Sequence, residues 1–556
     1  MPTKLNRKQV PSGYNVVDFT YKGRPARDQG DFGTEVGIAD AACVNQFGDA
    51  NNAKYYHAGV LQSGDGQWWV YLEWGRIKAG KSWNGSFSGQ DYQFVQCASE
   101  SEARSFFATQ MNSKNTARLE RKDLGGTTIW VSKTDKDGKS KDGYIVQSLA
   151  TRERGLPDAY TIKDDSGVVA SPVQPQKTAR KAPSIVTERF HSAEVSLAQA
   201  LVGGTVSYAR AASAATGVVP TMDAINKVRD DLLPLALQRI QVVGDSIDAQ
   251  VSDADLIGIS KMVAAMVPTV IPRTASQTER ERMTILSAEN ILQRQQDLDA
   301  FEAALLNEDF EAEAAPQTVD PDQLLGAKIR YIEPRSDLGQ WLAKTYLSMT
   351  NNRHGHLRGR QTRILNMFSV ERPDRDSKFV EAVKCVAAKR QGSATLKARL
   401  QPASRPDVGD ISDLYGKANC FLGIHGTRSV NVQPIISTNL RLPKSLKGVH
   451  ISGAAFGGGV YAATDYAKSL GYCSYQGAYY GGGGHIQGRG WFMFLQDIIM
   501  GEAYRATQTG SWQTPPNGCD SIAAYPDFMR TLVNDEHIIF NPDYQRIRYI
   551  IEGSTD

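Results

Sequence analysis

Apolar residues along this chain follow different periods in different stretches, and each period predicts its own kind of domain. From residue 55 to residue 82, YYHAGVLQSGDGQWWVYLEWGRIKAGKS sets aromatic and branched residues against polar ones on either side of the turn Ser63-Gly64-Asp65-Gly66. That is the pattern of half-buried strands. Next, SESEARSFFATQMNSKNTAR puts Ala103, Phe106, Phe107 and Met111 on one side of a helix. A strand at Thr127–Ser132, the polar hairpin KTDKDGKSKDG and a strand at 144–147 follow. Between residues 190 and 312 the step becomes three and four. Ile225, Val228, Leu232 and Leu235, then Leu256, Ile259, Val263 and Met266, then Leu298, Phe301 and Leu305 each mark the buried side of a helix. Pro268 and Pro272 end the second of these, and together they predict an all-helical bundle.

Short strands return from about residue 324: GAKIRYI, TRILNMFSVERP, a buried strand ending at His425-Gly426, Val460-Tyr461, WFMFLQDIIMG and RIRYIIE. Helices are expected over SDLGQWLAKTYLSMT, from about Asn431, and from near Thr464 to Leu470. Residues 381–412 are basic and polar and read as a loop or insertion. The lead-in, residues 1–40, reads as a flexible arm whose Lys4, Arg7, Lys8, Lys22, Arg24 and Arg27 either face solvent or brush a phosphate backbone. The proline-containing stretch 165–189 is a linker, and acidic residues 313–323 form a tether. The expected organisation is thus an arm (1–40), a mixed module (41–164), a linker (165–189), a helical domain (190–312), a tether (313–323) and a C-terminal domain (324–556).

A length of 556 residues is too great for one core. With 41% hydrophobic and 22% charged residues the chain has an ordinary soluble composition. No stretch has the length of a membrane span, and the N-terminus lacks the apolar core of a signal peptide, so secretion is not expected. Six cysteines without a CxxC pair argue against structural zinc and for a reducing compartment. No metal-ligand spacing and no P-loop occur, and Gly481–Gly484 lacks the strand-to-helix context of a dinucleotide fingerprint. Charge is unevenly spread. Residues 1–190 hold 26 Lys/Arg against 21 Asp/Glu, whereas residues 191–320 hold 9 against 19. An acidic block between basic ones suits a regulatory domain beside anion-binding neighbours, although packing alone can produce it.

The stretch from His425 to Cys473 carries the candidate chemistry. A His-Gly step at a strand end, the glycines 457–459 and two tyrosines eleven residues apart, Tyr461 and Tyr472, could line one polar and aromatic cleft. It resembles the catalytic signature of the poly(ADP-ribose) polymerases, the diphtheria-toxin-like ADP-ribosyltransferases that consume NAD. His425, Gly426, Thr427 and Arg428 match the first block of that signature. Gly457, Gly459, Val460, Tyr461, Lys468, Ser469, Tyr472 and Cys473 match the second, and Glu536, before the last strand, matches the third. Ala462 replaces the usual aromatic. The resemblance implies two antiparallel sheets around a split NAD cleft, with His425, Tyr461 and Glu536 as the catalytic set and NAD as co-substrate without a metal. It assigns the nicotinamide amide to Gly426 and Ser469, and the ring to Tyr472 and Tyr461. Ribose hydroxyls go to His425, the adenine side to Arg441, and the nicotinamide-side ribose hydroxyl and developing positive charge to Glu536. Cys420 and Cys473 are read as buried thiols.

Trp74, Gly75 and Arg76, with Tyr71, Gly80 and the helix entered at Ser101, resemble a WGR domain. In DNA-dependent polymerases that module holds the end of a DNA break. The resemblance therefore implies a tryptophan beside the terminal nucleotide, an arginine facing a relay surface, and phosphate contacts drawn from Lys78, Lys81, Lys114, Arg118, Arg121 and Lys122. A core role for Trp74 is the competing reading. Trp68 and Trp69 alternate, so one of them is expected at the surface or facing a ligand. The helical segment, lying between the two matches, resembles the autoinhibitory helical domain of the same enzymes. The fold class expected is multidomain α+β: a mixed β/α WGR module, an all-helical regulatory bundle and a split antiparallel-sheet catalytic domain. The function expected is NAD-dependent ADP-ribosylation of the protein itself or its neighbours, switched on by DNA breaks. A mono-ADP-ribosyltransferase or toxin-like NAD consumer, or an idle DNA-end binder, is the alternative. The compartment would be nuclear in a eukaryote and cytoplasmic in a prokaryote or virus.

Overall fold

The computed structural model describes residues 3–5, 14–16, 20–21, 24–25, 38–47, 52–63, 66–76, 91–137, 139–146, 190–216, 218, 220–244, 246–271, 274–287, 290–307, 319–349, 361–390, 412–441, 455–474 and 484–555. The linker 165–189 and the tether residues 313–318 lie outside them. Two compact units emerge, Met1–Arg180 with Arg210–Leu298, and Lys181–Ala209 with Asp299–Asp556. The division falls inside the helices Ser192–Thr216 and Ile291–Leu306, so the helical stretch expected as one domain is shared between the units.

The first unit is built on an antiparallel sheet whose strands run Thr3–Leu5, Asp91–Cys97, Trp68–Arg76, Asn52–Ser63, Ile38–Asn45 and Ile145–Val146. The helix Glu100–Lys114 covers one face. It starts at Ser99, whose hydroxyl accepts the Glu102 amide while the Glu102 carboxylate accepts the Ala98 amide. Ala103, Phe107 and Met111 on this helix pack on Tyr56, Ala58, Val60, Val70, Leu72 and Val95, as the spacing predicts. Trp68 and Trp74 border the same cluster, while Trp69 points to the opposite face and is only 4% exposed. Of the adjacent pair, Trp69 is buried and Trp68 is half-buried, keeping some access to solvent. Thr3–Leu5 and Tyr14–Val16 also pair into this sheet, where a flexible arm is expected. Their attachment is a backbone ladder, which leaves no hydrophobic alternation to read.

Within the same unit the hairpin Leu119–Leu124/Thr127–Ser132 lies against the helix Ala254–Met266. Gly258 admits the Trp130 carbonyl there. Leu256, Ile259, Val263 and Met266 are buried as predicted, and Ser260 and Lys261 on the other side are buried as well. A helix enclosed on all sides is a central element, not one lying at a bundle's surface.

The second unit contains two sheets. Lys328–Tyr331, Thr362–Glu371, Gln545–Thr555, Trp491–Ile499 and Cys420–Gly426 form the first, antiparallel throughout. Val460–Ala462, Glu536–Ile539, Ser521–Ala524 and Ala503–Arg505 form the second. Its outermost pair, Ala503–Arg505 with Ser521–Ala524, is parallel, which corrects the expectation of wholly antiparallel sheets. A second correction concerns residues 381–389, expected as loop. They complete the helix Pro373–Lys389, which buries Phe379, Val383, Val386 and Ala387 against Tyr415, Ala418 and Cys420. The stripe sits between charged residues that dominate the composition and obscure the period. Trp491–Ile499 is buried along its whole length. Its one acid, Asp497, is satisfied by the Tyr415 hydroxyl at 2.9 Å and by Arg546 at 2.7 Å. The two sheets meet where Ile424 and Ala463 exchange backbone hydrogen bonds of 2.8 and 2.9 Å. Among the described residues, no helix is long and apolar enough to cross a membrane.

Candidate functional site

The seam between the two sheets brings the C-terminal candidates together. His425 is the penultimate residue of its strand, paired with Phe494, and its ring Nδ1 lies 3.3 Å from the Tyr461 carbonyl across the seam. A carbonyl can only accept, so Nδ1 carries the proton and Nε2 is left as an acceptor. Burial pulls the imidazole down to about 4 from 6.5, outweighing the opposing hydrogen bond to Tyr461. The ring is therefore neutral near pH 7, suited to accept a hydrogen bond from a hydroxyl.

Gly426 follows at the strand end, packed so closely on the Ser469 carbonyl and the Cys473 sulfur that a Cβ has no room. Its backbone is the only group that can face a ligand here. Ser469 sits in the helix Tyr466–Leu470, held by Asp465, whose side chain accepts the amides of Ala467 and Lys468 at 2.8 and 3.1 Å. That cap fixes where Lys468, Ser469 and the half-buried Tyr472 stand. Cys473 and Cys420 are buried thiols, as expected, and burial pushes Cys473 up to about 12.

Tyr461 is held by its own loop. The Phe456 amide donates to its hydroxyl at 2.8 Å, and the hydroxyl donates to the Gly457 carbonyl at 3.0 Å. Burial lifts this phenol well above its ordinary range, so it stays protonated. In the ladder Tyr461 lies opposite Ile538, and Glu536, two residues before Ile538, projects to the same face. Lys468 forms an ion pair with Glu536, Nζ to Oε2 2.5 Å. The sequence motif contains Lys468 but assigns it no partner; only the closure of the seam reveals this contact.

Arg441 stands apart from this group. Its guanidinium donates to Asp299 and Glu302, each at 2.9 Å, both on the helix Ile291–Leu306. Helix carboxylates hold the side chain expected on the adenine side. The acidic composition of 191–320 is the only sequence signal that could have pointed to them.

The first unit brings part of the N-terminal set together. Trp74 lies directly opposite Tyr56 in the ladder and stacks on it, with ring centroids 6.2 Å apart at 22°. Tyr144 meets Tyr56 edge-on, and Lys114 Nζ stands 5.0 Å above the Tyr56 ring. Partial burial, and then the like charge of Arg118, lower the Lys114 ammonium. Arg118 donates to the carbonyls of Ser113 and Asp142. Tyr56 and Tyr144 were not singled out from sequence, because cross-strand neighbours lie far apart in the chain. Arg121 is exposed on the hairpin beside Thr128 and Asp123. Lys122 is committed to Asp255 of the helix Ala254–Met266, at 2.5 and 2.7 Å. Arg239 reaches Asp255 from another side. Arg76 ends its strand opposite Lys54, its side chain outside the described ones, and Lys78 and Lys81 lie outside the described residues.

Comparison with a family model bears on the second unit. The family model for the Poly(ADP-ribose) polymerase catalytic domain matches residues 343–555. The mouse (Mus musculus) protein mono-ADP-ribosyltransferase PARP3 is 32% identical over 123 residues, 22% of this chain and 21% of the mouse protein. A poly(ADP-ribose) polymerase-like protein, 100L, of Invertebrate iridescent virus 6 is 30% identical over 150 residues, 25% of this chain and 74% of the viral protein. The chain therefore spans about a fifth of the mouse relative and about three quarters of the viral one.

The burial of His425 makes a direct prediction. In a proton-NMR titration its ring should keep the neutral form until the pH approaches about 4. The unfolded ring, near 6.5, binds its proton first, so this group lowers folding stability progressively as pH falls from about 6.5 to about 4. A midpoint near 6.5 in the folded protein would contradict the placement of the ring.

Proposed function

This chain belongs to the poly(ADP-ribose) polymerase family, and on that premise we propose that it is an NAD-consuming ADP-ribosyltransferase switched on by DNA breaks. The observation that carries this reading is the convergence of His425, Gly426, Ser469, Tyr461 and the Lys468–Glu536 pair at one seam. In the reaction the bond between the nicotinamide nitrogen and ribose C1′ breaks, nicotinamide leaves neutral, and positive charge develops on the ribose. Nicotinamide offers one amide as a polar handle, and the Gly426 backbone, with Ser469 beside it, is suited to hold it. Tyr461 and Tyr472 flank the ring, and the neutral His425 accepts from a ribose hydroxyl. Glu536, its carboxylate oriented by Lys468, opposes the developing cation and takes the proton of the acceptor hydroxyl as that oxygen forms the new bond to C1′.

The regulatory half of the proposal rests on charge. Phosphates of a DNA end suit Lys114 and Arg118 beside the Trp74–Tyr56 stack, where an aromatic face can meet a terminal base pair without reading its sequence, and the exposed Arg121 on the hairpin. Lys122, paired to Asp255, is better placed to link the hairpin to the helical segment than to touch phosphate. At rest, Asp299 and Glu302 occupy the guanidinium assigned to the adenine side. DNA activates by favouring a state in which that guanidinium is released.

Products are a separate matter. The mouse relative's name specifies single ADP-ribose units, and the viral relative's name likens it to a poly(ADP-ribose) polymerase. Polymer is the reading adopted here, and single units are the alternative. Labelled NAD incubated with the protein and no DNA, closed circular DNA or short broken duplex should release nicotinamide fastest with the broken duplex. A ladder or smear on the labelled protein marks polymer and a discrete band marks single units. Glu536→Gln should bind NAD yet lose transfer sharply, by about tenfold for each 1.4 kcal/mol of lost transition-state stabilisation. Equal rates in all three DNA conditions would remove the DNA switch, and absence of both label and nicotinamide release would remove the enzyme.

The restraint on Arg441 is tested by Asp299→Ala with Glu302→Ala. Both pairs are partly exposed, and pairs of this kind are worth about 0.2–1 kcal/mol each, so their joint loss should raise DNA-free nicotinamide release roughly fivefold. An unchanged DNA-free rate in the folded double variant would exclude these carboxylates as a brake.

A further inference from the structure

We infer that Trp512 is a positioning residue for Tyr461, acting through a clasp between the loop at 510–512 and the glycine-rich loop at 455–459. The inference rests on the reading of the cleft as an NAD site. Its structural basis is a continuous set of contacts. Two backbone hydrogen bonds join the loops, Gly458 amide to Trp512 carbonyl at 2.9 Å and Gly510 amide to Ala455 carbonyl at 3.0 Å. Gly457 has a positive φ of 88°, and its Cα lies so close to the Trp512 backbone that any side chain would collide with it. The Trp512 ring stacks on the fully buried Phe456, centroids 6.3 Å apart at 9°, and meets Tyr504 at 5.8 Å. Gly510 leaves room for the indole to lie back over its own turn.

The same two residues that Trp512 grips, Phe456 and Gly457, hold the Tyr461 hydroxyl. The chain of contact runs from the indole to Phe456, from the Trp512 backbone to Gly457, and from both to the phenol. Tyr461 is consequently fixed from two directions, its carbonyl by His425 and its hydroxyl by the clasped loop. Three glycines in succession would otherwise leave residues 457–459 with wide backbone freedom, and the clasp removes it. A side chain that flanks a planar substrate group needs that restraint, because the ring's angle sets the width of the slot.

The test compares wild type with Trp512→Ala and Trp512→Phe. Amide hydrogen exchange across 455–461 should speed up in the alanine variant and return toward wild type with phenylalanine, which retains the stack. In nicotinamide release with broken DNA, KM for NAD should rise roughly two- to tenfold in Trp512→Ala, the range one lost aromatic pair carries, with kcat less affected. In a Tyr461→Phe background the same substitution should have a smaller effect on KM, since the coupling passes through the hydroxyl. Trp512→Leu, which keeps bulk without the stack, carries the comparison if the alanine variant does not fold. Unchanged exchange overturns the clasp. Faster exchange with unchanged KM, or an undiminished effect in the Tyr461→Phe background, overturns the positioning role. A wild type that neither binds nor turns over NAD overturns the reading of the cleft instead, and exchange alone then decides whether the clasp exists.

Discussion

The second unit depends on a seam two hydrogen bonds wide. Ile424 and Ala463 exchange backbone bonds between strands of different sheets, and His425 adds a side-chain contact to Tyr461 beside them. Behind it, Phe421 and Ile498 of the first sheet pack with Val460, Ala462, Ala523 and Ile539 of the second in one buried cluster. Three residues assigned to the cleft take their places from this junction: Gly426 one residue past His425, Tyr461 within the partner strand, Glu536 on the strand paired to it. The physical demand is that two sheets be joined tightly enough to fix side chains yet leave a gap between them.

Charge supplies the second layer of organisation, and it redistributes the cations named from sequence. Lys468 is drawn to Glu536, Arg441 to Asp299 and Glu302, Lys122 to Asp255. These pairs do different work. The first is partly buried inside the cleft and orients a carboxylate. The second holds a helix against a residue of the cleft, and its partial exposure keeps it weak enough to be broken. The third fastens a hairpin to a buried helix, where loss of the lysine would leave Asp255 without its closest cation.

Much of this was legible in sequence, for reasons specific to each element. The helical stripes at Ile225–Leu235 and Leu256–Met266 face cores as their spacing predicts, and the motif residues His425, Tyr461, Lys468 and Glu536 stand together at one seam. What escaped was set by contacts between distant residues. The helix over 381–389 was hidden because lysines and a glutamate surround its apolar stripe, and the parallel pairing of Ala503–Arg505 has no local signature. The Trp74–Tyr56 stack and the Lys468–Glu536 pair follow from register, which a one-residue slip would abolish. Likewise, a loop of three glycines looks free in sequence, and only the structure shows Trp512 gripping it.

The most direct measurement is a structure of the protein with a carbocyclic NAD analogue, which cannot release nicotinamide. The account predicts its carboxamide on the Gly426 backbone, its ring between Tyr461 and Tyr472, and its C1′ position facing Glu536. An analogue bound away from the seam, or with its adenine end where the carboxamide is expected, would contradict the account.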